Sequence, residues 1–259
     1  MEKAVGIAAM VKNCASSNAK DRRAVGTGNF TIRGVVAGVE AVMASLGAMT
    51  TPGTKTSSLL FWIWEAVLPM QQFWNRMAEY VLHIRLVPVK LVTMLIQTEL
   101  GLKSRTTAEQ IKKYPMGKVE SLFHLRLENG AMQFFEESID PRYYGHVVLL
   151  APDEMLRIEE DIPMERILEV RRDAKRKVFV RNAIRALRQV APEHDLRSIP
   201  NVVLVGGSAE DFEIPEMLMQ ALSEYRIVCG RGNIRGTEGP RNAVATGLLL
   251  SYIGSTQEG

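Results

Sequence analysis

Residues 201–247 read NVVLVGGSAEDFEIPEMLMQALSEYRIVCGRGNIRGTEGPRNAVATG, and the chemistry open to them is the binding of an anion. Gly206, Gly207 and Ser208 follow directly on a β-branched run at 202–205 and stand ahead of a helical stretch at 215–225. Glycines passing from a strand toward a helix leave backbone N–H groups bare, and those groups converge where a phosphate or carboxylate can sit. A second glycine-lined turn, Gly230-Arg231-Gly232-Asn233, follows the apolar run 226–229 and precedes a last helix at 240–250. Two ordinary connections between strands and helices would use the same residues. Gly-Gly-Ser alone does not decide between them.

The elements that must position these turns are legible from period and punctuation. The longest periodic stretch is 163–191. Ile167, Val170, Ala174, Val178, Ala183, Ile184, Leu187 and Val190 recur on one face, which is expected to be buried. Arg166, Arg171, Arg172, Lys175, Arg176, Lys177, Arg181, Arg185 and Arg188 occupy the other side. That basic stripe reads as a solvated helix face, and a docking surface for an acidic partner is the sharper alternative. Helices are expected at 91–100, with Leu91, Met94, Leu95 and Leu100 inward, at 106–113 ahead of Tyr114-Pro115, and at 116–127. Strands are expected at 132–136 and 147–150. Upstream, 2–12 and 39–49 read as helices of small apolar residues and 13–33 as loop. Residues 59–89 hold all three tryptophans and no clear period, which suits either a core segment or a membrane-surface patch.

Composition sets bounds on function. A chain of 259 residues with 46% hydrophobic and 24% charged residues can bury a sizeable core as one large domain or two small ones. A net charge of +3 is too small to point to nucleic acid. Cys14 and Cys229 lie far apart and read as reduced thiols, and His83, His124, His146 and His194 are too scattered to form a metal cluster. Glu65, Arg76, Glu79, His83, Arg85 and Lys90 interrupt the most apolar region before it reaches the roughly 18 residues a membrane span needs. Met1-Glu2-Lys3-Ala4 opens an ordinary helix rather than a signal peptide. The expectation is a cytoplasmic protein with no nucleic-acid or membrane partner.

Several segments are specific enough to suggest a family: IKKYPMGKVESLFHLRLENG, VRNAIRALRQVAP, VVLVGGSAEDFEIPE and GRGNIRGTEGPRNAVATGLLLS, with AVGIAAMVK and LGAMTTPGT upstream. Together they resemble the C-terminal part of the large subunit of diol/glycerol dehydratase-reactivating factors, continuously over 91–251 and again over 1–12 and about 34–54. The resemblance implies an α/β fold, the second lobe of an actin/heat-shock-chaperone-like ATPase. It implies a chaperone-like factor that works with a small subunit on adenosylcobalamin-dependent diol or glycerol dehydratase. The factor would release damaged cobalamin from the inactivated enzyme, using ATP/ADP and Mg²⁺, in the cytoplasm or in a bacterial microcompartment. On the helix TAEQIKK, Glu109, Gln110 and Lys112 match positions at the ribose and adenine, and the spacing of Glu109 and Lys112 puts those two on one face. Gly207 and Ser208 match the turn against the nucleoside, with Gly206 beside it. Arg241 matches a further nucleotide contact, with Asn242 beside it.

The chain also departs from the family pattern. The resemblance begins inside the second lobe, so the expectation is that the N-terminal lobe, its phosphate loop and its Mg²⁺-associated acids are missing. No metal ligand and no catalytic residue is assigned. The family's second phosphate loop, Asp-Leu-Gly-x-Gly-Ser-Thr-Asp, is expected shortly after Thr54, where FWIWEAVLPMQQF stands instead. One base out of frame, codons for that segment are compatible with Ile-Leu-Asp-Leu-Gly-Gly-Gly-Ser-Thr-Asp-Ala-Ala-Ile. Residues 13–31 and 59–89 are therefore expected to be out of frame. That divides the chain into a disrupted partial segment, 1–90, disordered or misfolded, and a C-terminal lobe, 91–259. A phosphate loop needs glycines so that consecutive N–H groups can face the phosphates, and tryptophans do not supply that geometry. Weak nucleotide affinity and no measurable ATPase follow. Two other readings compete. One is a non-catalytic module that binds the dehydratase or the small subunit through 163–191. The other is a metabolite kinase of the same superfold, against which the specific segments argue.

Overall fold

In a computed structural model the chain is described over residues 40–52, 59–63 and 89–257. In chain order the elements are α1 (Glu40–Ala48), β1 (Leu59–Ile63), α2 (Val89–Leu100), α3 (Arg105–Lys113), β2 (Met116–Ser121), β3 (His124–Leu127), β4 (Met132–Phe134), β5 (Val147–Leu150) and β6 (Met155–Arg157). Then come α4 (Met164–Lys175), α5 (Arg181–Val190), β7 (Asn201–Val205), α6 (Ile214–Ser223), β8 (Val228–Arg231) and α7 (Ala243–Gln257). A π-helical turn over Arg176–Val180 joins α4 to α5.

Strands β1, β7 and β8 form a parallel sheet with β7 at its centre. A central strand covered on both faces reads as an unbroken apolar run, as NVVLV does. Its alternate side chains divide between two cores. Val203 and Val205 pack with Ala44, Ala48, Ile234 and Ala243 on the α1/α7 side, whereas Val202 and Leu204 join the larger core formed with α2 and α4–α6. Helices α1 and α7 touch backbone to backbone. A Cβ on Gly47 would lie 1.8 Å from the Ala243 carbonyl oxygen, and one on Gly247 would lie 1.7 Å from that of Met43. The absence of a side chain at these two glycines is what lets the helices meet.

The second sheet is antiparallel, in the order β4-β3-β2-β5-β6. It corrects the helix expected over 116–127. Met116, Val119 and Leu125 are buried while Lys118 and Arg126 are exposed, and a bulge between Val119 and Ser121 shifts the register. The apolar pair at the hairpin tip, Leu122-Phe123, imitates helical spacing, yet Phe123 is exposed. The face expected for α2 is corrected at Met94 alone, since Leu91, Leu95 and Leu100 pack half-buried against the core. Val92, Thr93 and Ile96 are buried and Met94 is exposed, because α2 packs on α3 and α4 through the Val92/Ile96 side. The strands expected near 132 and 147 and the remaining described helices stand within a few residues of their expected bounds, except that α7 runs on past the expected end at 250 to Gln257.

Within the first third, Glu40–Ala48 is a helix packed near β7 and Leu59–Ile63 is a strand paired with it. The helix expected over 2–12, the loop over 13–33 and the remainder of 59–89 lie outside the described residues. Among the described residues no helix is long and apolar enough to cross a membrane.

Candidate functional site

The carboxyl end of a central parallel strand opens onto a crevice in open α/β sheets, and here β7 runs into glycines at that point. Gly206 takes φ +90°, a conformation that side chains disfavour, and its N–H donates to the Pro240 carbonyl at 3.0 Å. The chain then coils through the 3₁₀ turn Gly207–Glu210. A Cβ on Gly207 would meet nothing within 4 Å, so this side of the turn is open to a flat group. Ser208 is half-buried in the turn. Arg241, in the 3₁₀ turn Pro240–Asn242, is exposed, with Nη1 3.8 Å from Glu210 Oε2. The structure thus brings Gly207, Ser208 and Arg241 together.

The anion site expected from bare helix N–H groups is not built here. Asp211 Oδ1 already accepts from the N–H groups of Glu213 (2.9 Å) and Ile214 (3.0 Å) and so caps the start of α6 with a carboxylate. The second glycine turn is a packing feature. Gly232 donates to the Leu204 carbonyl at 2.8 Å, and a Cβ there would press on Val205 Cγ1 at 2.9 Å.

The other half of the expected site lies on α3, whose N-terminus is capped by Ser104. Glu109 and Lys112 meet across one helical turn, Nζ to Oε1, at 2.7 Å. Glu109 also accepts from Thr93 Oγ1 of α2, and Lys113 Nζ approaches it at 3.4 Å. Burial pushes the Glu109 carboxyl upward, but the bonds from Lys112 and Thr93 and the lysine charge outweigh it and hold the pKa at about 2. Lys112 itself is buried, 8% exposed, and its ammonium is spent on Glu109 and Thr93. It therefore positions Glu109 rather than presenting a free cation to a ligand. Two clefts share Thr106 and Glu109. One of about 350 Å³ adds Gln110, Lys113, Tyr114 and the β5–β6 turn, and one of about 430 Å³ adds Lys90, Arg105 and Lys112.

Among the described residues no hydrogen bond or ion pair joins the α3 group directly to the Gly207–Arg241 group. What lies between them is a buried ionic cluster that the sequence reading placed in solvent. Arg171 and Lys175, assigned to the exposed basic stripe, are both fully buried. Arg171 Nη2 donates to Glu128 (2.8 and 2.9 Å) and Glu213 (2.8 Å), and Nη1 donates to the Tyr114 carbonyl (3.1 Å). Lys175 Nζ donates to both Asp211 oxygens (2.9 and 3.0 Å) and lies 2.8 Å from Glu213 Oε2. The Phe212 ring sits beneath both cations, at 4.9 and 4.4 Å. The physical reason for the correction is the partner set. Two cations one turn apart can leave water because three carboxylates, a carbonyl and an aromatic face replace it. Of the rest of the stripe, Arg166, Arg172, Arg176, Arg181, Arg185 and Arg188 are exposed as expected and Lys177 is half-buried between Glu99 and Asp173, and the π turn absorbs the change of phase between α4 and α5. The signal that could have located the cluster is the acid-aromatic-acid triplet Asp211-Phe212-Glu213 just past the glycine turn.

Among the described residues no group of three or more His, Cys, Asp or Glu could hold a metal ion. Burial pushes the Cys229 thiol up to about 12, which leaves it an inert packing group. For a nucleoside, the open face of Gly207, the exposed Arg241 and the cleft beside Glu109 and Gln110 are compatible partners. The described residues provide no comparable setting for Mg²⁺.

Comparison with known proteins specifies the family. The model of the diol dehydratase reactivase ATPase-like domain matches residues 1–252. The propanediol dehydratase-reactivating factor large subunit of Citrobacter freundii is 48% identical over 252 residues, 97% of this chain and 41% of its own length. The diol dehydratase-reactivating factor large subunit of Klebsiella michiganensis is 47% identical over the same length and shares. A solved glycerol dehydratase reactivase superimposes with a TM-score of 0.72 at 48% identity, over 85% of this chain and 36% of that one. A nucleotide-free diol dehydratase-reactivating factor does so with a TM-score of 0.71. The chain spans about 41% of the length of the curated relatives it matches. The mixed parallel and antiparallel sheets, the glycine turn at the end of β7 and the match across nearly the whole sequence place this chain in the diol dehydratase reactivase ATPase-like domain family.

Proposed function

We infer that this chain is the nucleoside-binding part of a reactivating-factor large subunit, an actin-like ATPase lobe. Its partners would be an adenosylcobalamin-dependent diol or glycerol dehydratase and the reactivase small subunit. The factor's task would be the ATP-dependent release of damaged cobalamin from the inactivated dehydratase. The observation that carries the site reading is the turn at the end of β7, where Gly207 is open above its Cα and Arg241 stands beside it. Gly207 and Ser208 would lie against the base or ribose, Arg241 would contact the nucleotide, and Glu109 and Gln110 would accept or donate hydrogen bonds at the ribose and adenine. Lys112 would act through Glu109, fixing the carboxylate in its charged form. A bound nucleotide would supply the phosphate whose hydrolysis drives the factor's cycle. The sequence after Thr54 does not spell the loop that grips that phosphate.

This predicts a specific pattern. Adenosine, ADP and ATP should bind with similar, weak affinity in ligand-observed NMR, because only the nucleoside is held, and ATP turnover should match a blank without protein. Failure of adenosine to bind would overturn the nucleoside assignment. Hydrolysis above the blank would overturn the loss of the phosphate grip, and a coding DNA whose neighbouring frame does not spell the loop would overturn the out-of-frame reading. A non-catalytic module that docks the dehydratase is the alternative reading. Capture of dehydratase to the same extent with and without ATP would favour it.

A further inference from the structure

We propose that Arg171 and Lys175 are positioning residues that hold the two halves of the nucleoside site in one register. The proposal rests on the nucleoside reading given above for those halves. Each half is one backbone hydrogen bond away from the buried cluster. On the α3 side, Tyr114 donates its N–H to the Gln110 carbonyl at 2.9 Å, and its own carbonyl accepts from Arg171. On the turn side, Asp211 donates its N–H to the Ser208 carbonyl at 3.3 Å, and its carboxylate is clamped by Lys175. Glu213 closes the path, with Oε1 on Arg171 and Oε2 beside Lys175. Two successive turns of α4 therefore reach both segments through one shared carboxylate. An apolar cluster of equal volume could pack this junction as tightly, but it would not fix the angular register that fork-shaped and bidentate contacts impose.

Amide hydrogen exchange of the full chain tests the link, because a residue that matters only for local packing would disturb its own surroundings alone. In Lys175→Met, exchange should rise roughly ten- to a hundredfold over 207–213, the scale of losing charge-assisted hydrogen bonds, and should rise also over 110–114. Arg171→Lys keeps the charge but cannot fork to Tyr114, Glu128 and Glu213 together, so it should raise exchange over 110–114 first. If Lys175→Met fails to fold, Asp211→Asn serves in its place, since an amide oxygen can still cap α6 while Lys175 loses one of its two carboxylate partners. A rise confined to the segment touching the altered residue overturns the proposal. Adenosine binding, followed by NMR on the same variants, separates the two claims. Coupled exchange with no adenosine binding by the unmodified chain overturns the nucleoside reading and supports the link, and uncoupled exchange overturns the link whatever adenosine does.

Discussion

Two junctions flank the parallel sheet, and they are held by opposite means. On one face α1 and α7 meet through Gly47 and Gly247, with the small residues Ala44, Ala48 and Ala243 around them, so that main chain touches main chain. On the other, α4 reaches α6, the β2–β3 sheet and the end of α3 with long charged side chains that are wholly out of water. The first junction depends on the absence of atoms and has no tolerance for volume. The second depends on the presence of partners and has no tolerance for an unmatched charge. Dispersion and close fit sustain the one, whereas the other must recover the cost of desolvating two cations before it contributes anything.

The largest effect should come from the charged junction. Glu213→Ala would leave Arg171 and Lys175 buried without the carboxylate they share, and breaking a buried pair in this way costs about 3–5 kcal/mol. Urea unfolding measures it, and a loss below about 1 kcal/mol would show that Asp211 and Glu128 suffice for both cations. The glycine junction comes next. Alanine in place of Gly247 would stabilise an open helix by about 1 kcal/mol, so the sign of the change is diagnostic. A methyl group 1.7 Å from the Met43 carbonyl oxygen forces the helices apart, and overpacking of this kind costs about 1–3 kcal/mol. Stabilisation of Gly247→Ala in the same unfolding experiment would mean that the helices do not meet there.

The contrast also separates what the sequence could disclose from what it could not. The α1 segment, VEAVMASLGAM, announces a closely packed helix through its small residues, and β7 announces a central strand through an unbroken β-branched run. Both signals are local. The burial of Arg171 and Lys175 is not local, because it depends on carboxylates some forty residues away that only folding brings near. A helical wheel places cations in solvent by default, and the default fails where tertiary partners replace water. The β2–β3 hairpin was hidden for another reason. Its tip, half-buried Leu122 and exposed Phe123, puts apolar residues between two half-buried strands and fills the gap that would have shown a period of two. At the candidate site, Gly207 and Ser208 are legible as neighbours along the chain, whereas Arg241 comes beside them only in the fold. The role of Lys112 was not, since its partner Thr93 belongs to a different helix.

Acid should distinguish the junctions next. Burial raises the Glu213 pKa, but the charges of Arg171 and Lys175 and their bonds to it outweigh that, and the net shift is downward. Glu109 is held at about 2. Folded pKa values below the unfolded one mean that both carboxylates contribute their full stability above the ordinary glutamate value of about 4.3. The contribution falls away as the pH drops below that value toward the folded one. Unfolding midpoints at pH 7 and pH 3 should therefore differ by less in Glu213→Ala than in the unaltered chain, while Gly247→Ala should leave the difference unchanged. An equal difference in all three would mean that the buried cluster does not govern the acid limb.

The smallest effect sharpens the comparison by removing burial and keeping the pair. Arg126 and Glu120 on neighbouring strands form a two-bond fork through Nε and Nη2 at 2.7 and 3.0 Å, lengths close to the 2.8 and 2.9 Å at which Arg171 Nη2 donates to Glu128. Here, however, the arginine side chain is 44% exposed and the carboxylate 30%. Water already satisfies both groups when they separate, and holding two long side chains in one arrangement offsets what the attraction gains. Arg126→Ala should therefore leave the urea midpoint within experimental error, and added salt should not change that result. A shift comparable to that of Glu213→Ala would mean that ion pairing itself, and not the exclusion of water around it, makes the α4 junction strong.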